Sequence, residues 1–225
     1  MIQARESEYG VIFDMDGVLV DSSEAHFAAW SRLGEELGVS HPRSIFERTF
    51  GMHNRQILPL WLGDRVTPGE IERLSERKEA MYREAAAATL QPIDGAVPLI
   101  HALAGAGFRL AVGSSAPRAN VDLALELLRV REFFFALSTG DEVEHGKPHP
   151  EVFLNAASKL GLHPGRCVVV EDAPQGVLAG LAAGSRVIAV ETSRPAAELA
   201  AAHWVVPSLR DVTAERVFDL LGGRP

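Results

Sequence analysis

Short apolar runs and longer mixed segments alternate through the second half of the chain. Runs rich in β-branched and aromatic residues occur at 108–112, 134–138, 167–170 and 186–190. The intervening segments at 117–128, 150–160 and 174–183 have the length and apolar spacing of helices. Near-continuous apolar strands separated by helices are typical of a parallel sheet covered on both faces. With the early run at 11–13, the pattern predicts a doubly wound, Rossmann-like α/β fold of about five parallel strands.

Residues 22–91 have a different pattern, with helical apolar spacing and no convincing strand. The sequence Thr-Pro-Gly-Glu at 67–70 is a capping box with proline at the first helical position, and it predicts a long helix towards Ala88. An all-helical block after the first strand of a parallel sheet indicates an inserted domain. We therefore expect a helical cap at 18–92 and an α/β core made of 1–17 and 93–225.

Composition and charge limit the possible partners. The 225 residues are 47% hydrophobic and 23% charged, which is ordinary for a globular protein. Thirty acidic residues against 22 basic ones give a formal charge of −8. This balance argues against nucleic acid and anionic membranes as partners, because both repel a negative protein. A small anionic substrate stays possible, and we expect a monomer or a weak homo-oligomer.

Two further features bear on location. The single cysteine, Cys167, lies in an apolar run and is expected to be a small buried side chain. Residues 1–8 lack the apolar stretch of a signal peptide, and no run approaches the roughly 18 apolar residues of a membrane span. We therefore expect a cytoplasmic protein.

The candidate chemistry begins with Asp14-Met15-Asp16-Gly17, directly after the first apolar run. Side chains two positions apart on a strand lie on the same side, so Asp14 and Asp16 start out facing one site. Paired carboxylates at a strand end suit a divalent cation and covalent chemistry. Aspartate and glycine are also ordinary turn residues, so this segment alone is ambiguous.

Three later segments also follow predicted strands: Gly113-Ser114-Ser115, the loop around Lys147, and Glu171-Asp172. Taken singly, they could be a helix cap, a surface lysine and a helix-terminal acidic pair. Taken together, they lie at one edge of the predicted sheet. There they supply a carboxylate nucleophile, a second carboxylate for proton transfer, a hydroxyl, a fixed cation and an acidic metal site, which are the groups that phosphoryl transfer needs.

In their order and spacing, these four segments resemble the motifs of the haloacid dehalogenase superfamily of phosphotransferases, from about Val11 to Val190. The resemblance implies that Asp14 attacks phosphorus to form an aspartyl-phosphate. It implies that Asp16 protonates the leaving oxygen and then activates water, and that Lys147 neutralises charge.

The same resemblance implies a set of ligands. Ser114, with Ser115 beside it, would bind the phosphoryl group. Mg²⁺ would be held by Asp14, Asp172 and the backbone carbonyl of Asp16, with Glu171 binding directly or through water. An acid–base aspartate at position 16 also implies phosphate-ester hydrolysis or phosphosugar mutase chemistry rather than dehalogenation.

The cap is similar to that of β-phosphoglucomutase-like proteins, which implies a hinge role for His26 and substrate contacts for Arg55 and Lys78. A helix-face histidine and solvated basic residues are equally good interpretations. The segments 51–55 and 114–118 lack serines that the mutases usually carry, and Ala173 replaces another. We therefore expect a Mg²⁺-dependent phosphatase of small phosphorylated metabolites, sugar phosphates foremost. The alternatives are a β-phosphoglucomutase-like mutase and a catalytically idle binding module.

Overall fold

The core of the protein is a six-stranded parallel sheet. The computed structural model describes residues 8–223; residues 1–7 and 224–225, which the sequence assigned to the core, lie outside this range. The strands are β1 (Gly10–Phe13), β4 (Arg109–Gly113), β5 (Phe134–Ser138), β6 (Cys167–Glu171), β7 (Arg186–Val190) and β8 (Trp204–Val206). Their order is β5-β4-β1-β6-β7-β8 and every neighbouring pair is parallel. The predicted doubly wound α/β fold is confirmed, with one strand, β8, that the sequence pattern did not indicate.

Helices cover both faces of this sheet. They are α5 (Ala96–Gly105), α6 (Arg118–Leu128), α7 (Glu151–Lys159), α8 (Pro174–Ala182), α9 (Ala196–Leu199) and α10 (Ala214–Leu220). Phe13 packs in the cluster that includes α5, α6 and α10, whereas Ile12 packs in the one that includes α7, α8 and α9. Adjacent strand residues point to opposite faces, so both faces of β1 are buried. This explains why the core strands are apolar at almost every position.

The helical insertion contains α1 (Ser23–Leu37), α2 (Arg43–Thr49), α3 (Asn54–Leu62) and α4 (Pro68–Thr89). Its apolar side chains form a separate cluster that includes Trp30, Leu33 and Tyr82. The predicted capping box is present, because Thr67 and Glu70 bond reciprocally at the start of α4. None of the helices within residues 8–223 combines the length and apolar character needed to cross a membrane.

A two-stranded ribbon joins the helical insertion to the core. Strand β2 (Val20–Asp21) pairs antiparallel with β3 (Gln91–Pro92), so that Val20 lies opposite Pro92. The sequence placed these segments at the domain connections but predicted no strand there. Two residues are too few for an alternating pattern to show.

Candidate active site

The strand ends bring the predicted chemical residues to one edge of the sheet. Asp14 follows β1, and its N–H donates to the carbonyl of Val170 in β6 at 2.9 Å. Glu171 is the last residue of β6. Lys147 arrives from the loop that precedes α7. The parallel register of β1 and β6 therefore sets the carboxylates of Asp14 and Glu171 on either side of the lysine.

Lys147 lies at the centre of a buried cluster of charged side chains. Its Nζ is 2.9 Å from Asp14 Oδ1 and 2.6 Å from Glu171 Oε1. Carboxylate oxygens of Asp14, Glu171 and Asp172 all lie within 4.8 Å of one another. These four residues are therefore together in one place, as the proposed chemistry requires. Their individual roles stay predictions.

Burial and the neighbouring carboxylates shift the pKa values of Asp14 and Asp172. Burial raises the pKa of Asp14 to about 7; Lys147 opposes the shift, while Glu171 and Asp16 add to it. Burial also raises the pKa of Asp172 well above its ordinary value, with further contributions from Glu171 and Asp14. A bound cation would reverse these shifts because it stabilises the ionised carboxylates.

The donors of this cluster fit a Mg²⁺ ion. Its ligands are carboxylate oxygens, which hard cations prefer. Two glycines leave room for those oxygens. A Cβ on Gly17 would overlap the carboxylate of Asp172, and one on Gly176 would overlap that of Glu171. Asp14, Glu171 and Asp172 are thus the carboxylates that could hold the ion.

The carboxylate of Glu171 already accepts three hydrogen bonds from neighbouring groups of the protein. Its Oε2 accepts the N–H groups of Asp172 and Ala173 at 2.8 and 2.9 Å, while Oε1 accepts Lys147. This arrangement holds the lysine in position beside Asp14. Whether Glu171 also binds the ion, directly or through water, stays a prediction.

The Asp16 carboxylate is hydrogen-bonded on the cap side of the acidic cluster, and Asp16 lines a small pocket together with Asp14, Lys147 and Asp172. Its Oδ1 accepts a hydrogen bond from the Ser22 hydroxyl and lies 3.4 Å from His26 Nε2. Burial alone would raise the pKa of Asp16, but His26 and Ser22 hold it below its ordinary value. The predicted contribution of Asp16 to the ion, through its backbone carbonyl, stays untested.

A series of buried polar side chains in mutual contact extends from Asp16 into the cap. Lys78, only 2% exposed, has its Nζ 2.7 Å from His26 Nδ1 and 2.8 Å from Glu79 Oε1. The ring of Tyr82 stacks on His26, with centroids 3.9 Å apart. Lys78 borders the cavity where a substrate contact was predicted, yet its ammonium group is bonded to the protein. Its substrate role stays a prediction.

Glu79 is a residue that the sequence did not single out. Its carboxylate accepts Lys78, the Asn54 side chain at 2.7 Å and the side chain of Asn120 on α6. Burial opposes ionisation, but Lys78 together with the other partners lowers the pKa of Glu79 to about 2. The glutamate thus connects two cap helices to the core.

A cavity of about 510 Å³ lies between the cap and the core, and Asp16 is part of its lining. Ser115 also borders it, whereas Ser114 is buried and its hydroxyl oxygen accepts the N–H of Ala116 at 3.1 Å.

Arg55 lies at the exposed rim of this cavity, where it donates to Glu72 at 3.2 Å. Arg55 therefore lies apart from the acidic cluster, and its predicted contact with substrate stays untested.

Replacing Glu79 with alanine is expected to lower the free energy of unfolding by about 3–5 kcal/mol, because Lys78 loses its buried carboxylate partner. Thr67→Ala is the matched control on the same helix. It removes only an exposed capping interaction and is expected to cost about 1 kcal/mol. Urea unfolding measures both variants. Equal losses would contradict a structural role for the Glu79 cluster.

The fold and this site define a capped α/β enzyme whose chemistry lies at the carboxyl edge of a parallel sheet. A family model described as "Haloacid dehalogenase-like hydrolase" matches residues 11–190. The chain belongs to the haloacid dehalogenase-like hydrolases. The resemblance inferred from the motifs and the prediction of a hydrolytic enzyme are therefore confirmed.

Sequence relatives include enzymes of two kinds. The chain is 34% identical to hexitol phosphatase A of Escherichia coli (strain K12) over 210 residues, covering 92% of this chain and 94% of that protein. It is 30% identical to β-phosphoglucomutase of Bacillus subtilis (strain 168) over 217 residues, covering 93% of each. A chloroplastic 5-amino-6-(5-phospho-D-ribitylamino)uracil phosphatase of Arabidopsis thaliana is 30% identical over 213 residues, covering 94% of this chain but 56% of that longer protein.

A solved structure has the same fold. The β-phosphoglucomutase from Clostridium difficile superposes with a TM-score of 0.85 at 23% identity, covering 96% of this chain and 98% of the other. This similarity bears on the fold, including the helical cap. The phosphatases among the sequence relatives support the assignment to phosphoric monoester hydrolases.

Proposed function

We propose that this protein is a Mg²⁺-dependent phosphatase that hydrolyses small phosphorylated metabolites through an aspartyl-phosphate. The observation that carries the proposal is the buried contact of Lys147 with Asp14 inside a cluster of three carboxylates. Asp16 borders both the small pocket at this cluster and the larger cavity between cap and core. Such a site holds a nucleophile, a fixed positive charge and metal ligands in one place.

In the proposed reaction, the Asp14 carboxylate attacks phosphorus. Asp16 must first take up a proton, because His26 and Ser22 favour its ionised form, and it then gives that proton to the leaving oxygen. Asp16 then takes a proton from the water that opens the aspartyl-phosphate. Lys147 offsets negative charge that gathers on the phosphoryl oxygens. Mg²⁺ held by Asp14 and Asp172 would act as a Lewis acid and reduce repulsion between nucleophile and phosphate.

The cavity supports a hydroxyl-rich substrate such as a sugar or polyol phosphate. Its lining includes hydrogen-bonding side chains from Asn54, Ser75, Glu79 and Ser115, together with the ring of Trp30. Hydroxyl groups can both donate to and accept from such a surface. The hexitol phosphatase relative agrees with this class of substrate. The expected cytoplasmic location, and the expectation of a monomer or a weak homo-oligomer, stay predictions.

A phosphosugar mutase is the second candidate, favoured by the β-phosphoglucomutase relative. A mutase must also hold a bisphosphate in two orientations, which requires positive charge in the distal part of the cavity. There Arg55 pairs with Glu72, and Lys78 pairs with Glu79. Carboxylates compensate these two cations, which supports the phosphatase. Arg83, which also lines the cavity, donates to the neutral amide of Asn120 and is the remaining positive group that a mutase could use.

The deciding experiment is phosphate release from a panel of hexose and hexitol phosphates, with Mg²⁺ and with EDTA. The panel includes β-glucose 1-phosphate with and without a glucose bisphosphate primer. Mg²⁺-dependent phosphate release without primer supports the phosphatase. Primed conversion to glucose 6-phosphate without phosphate release would establish the mutase instead, and no reaction at all would favour the idle module.

Asp16→Asn is expected to lower kcat by about 10²–10⁴-fold, because the amide cannot carry the proton between leaving group and water. The Ser22 hydroxyl and the His26 ring can still bond to the amide oxygen, so the fold should persist. Steady-state phosphate release measures the effect, with Asp122→Asn as a control at an ion pair on α6. Near-normal kcat in Asp16→Asn would exclude the acid–base role.

A further inference from the structure

A second cluster of potential metal ligands lies at the outer end of the loop that carries Lys147. His145 Nδ1 is 3.3 Å and His149 Nδ1 is 3.7 Å from the same atom, Glu151 Oε2. The centroids of the two imidazole rings are 4.7 Å apart, and the three ligand atoms all lie within 4.8 Å of one another. Two imidazole nitrogens and a carboxylate oxygen thus converge on one point.

The protein backbone fixes the carboxylate in this cluster. Glu151 Oε1 accepts the N–H of Glu144 and Oε2 accepts the N–H of His145, each at 3.0 Å. These two hydrogen bonds orient the carboxylate towards the imidazoles, and supporting hydrogen bonds of this kind strengthen metal sites.

The donor set and the spacing select the ion. In a regular tetrahedral zinc site with bonds of about 2.1 Å, neighbouring ligand atoms are about 3.4 Å apart. The two distances to Glu151 Oε2, 3.3 and 3.7 Å, are close to that value. Imidazole suits Zn²⁺, whereas Mg²⁺ prefers the all-carboxylate cluster at Asp14. The His145 and His149 side chains are 63% and 50% exposed, so an ion can reach them from solution.

We propose that His145, His149 and Glu151 form a Zn²⁺ site, with solvent completing the coordination, separate from the catalytic carboxylates. His145 and His149 lie two residues on either side of Lys147. The ion therefore links the chain before and after the lysine and stabilises the loop that holds its ammonium group beside Asp14.

The test is competition for Zn²⁺ between the full-length protein and a chromophoric chelator, with millimolar Mg²⁺ present to occupy the catalytic carboxylates. The intact protein is expected to bind one Zn²⁺ that His145→Ala and His149→Ala bind more than about 100-fold more weakly, since losing a ligand exceeds the 10–100-fold effect of an outer partner. His101→Ala removes an exposed histidine on α5 and should bind like the intact protein. Circular dichroism checks that all variants are folded.

Co²⁺ gives a second readout that is independent of affinity. Bound at this site in the intact protein, it should show the visible absorption of a four-coordinate ion, and the His145→Ala/His149→Ala double variant should not. Equal Zn²⁺ affinity in the double variant and the intact protein would overturn the proposal. So would an equal loss of affinity in His101→Ala.

Discussion

Replacing Asp14 with asparagine is expected to reduce phosphate release by at least about 10⁴-fold, the scale seen when a catalytic nucleophile is removed. The amide has the shape of the carboxylate but cannot form the aspartyl-phosphate. Its oxygen can still accept Lys147, which lies 2.9 Å from Asp14 Oδ1. The loss should therefore appear in kcat while the fold is kept.

The thermal stability of Asp14→Asn is not expected to fall with its activity. Without a cation, burial and the neighbouring carboxylates raise the pKa of Asp14 to about 7, so an ionised group there is costly. A neutral amide removes that cost, and the thermal midpoint in EDTA should be unchanged or higher. Asp64→Asn, at an exposed position, serves as the control for both measurements. Retained activity in Asp14→Asn would exclude the proposed nucleophile.

Replacing Lys147 with methionine is expected to lower kcat by about 10²–10³-fold, because the site loses its fixed positive charge next to the phosphoryl group. Without Mg²⁺ the variant should also lose about 3 kcal/mol of unfolding free energy, since Asp14 and Glu171 keep no buried cation beside them. Mg²⁺ should restore part of this stability, because the ion supplies charge to the same carboxylates. Unfolding with and without Mg²⁺, together with kcat, measures both effects.

Lys159→Met is the matched control for this experiment. Lys159 pairs with Glu142 near the surface, so its loss should cost less than about 1 kcal/mol and leave kcat unchanged. If Lys147→Met behaved like Lys159→Met, the buried lysine would have no part in the chemistry.

The sheet and the charged cluster were predictable because both depend on local sequence. Strands such as β6 are continuous apolar runs, and the topology of a parallel sheet brings the segments that follow them to one edge. Asp14, Lys147 and Asp172 therefore converge although they are far apart in sequence. Strand β8 was not predicted, because it has only three residues at the edge of the sheet and two of them are only partly buried.

The cap–core contacts could not be predicted in the same way. Glu79 lies in a helix rich in charged residues, where it looks like an ordinary solvated side chain. Its partner Asn120 is 41 residues away on α6, and only the packing of the cap on the core joins them. The donation from Ser22 to Asp16 likewise depends on how β2 turns into α1. No sequence spacing encodes these contacts.

Because β2 and β3 pair, the helical insertion could be replaced by another segment without rearranging the core. Because Val20 lies opposite Pro92, the chain leaves and rejoins the core at adjacent points. A segment whose ends already meet can be replaced by another of different length without stretching the framework. Asp14, Lys147 and Asp172 would stay in place through such a replacement. A new specificity could therefore arise by grafting, provided that the graft supplies Asp16 with the contact that His26 now makes.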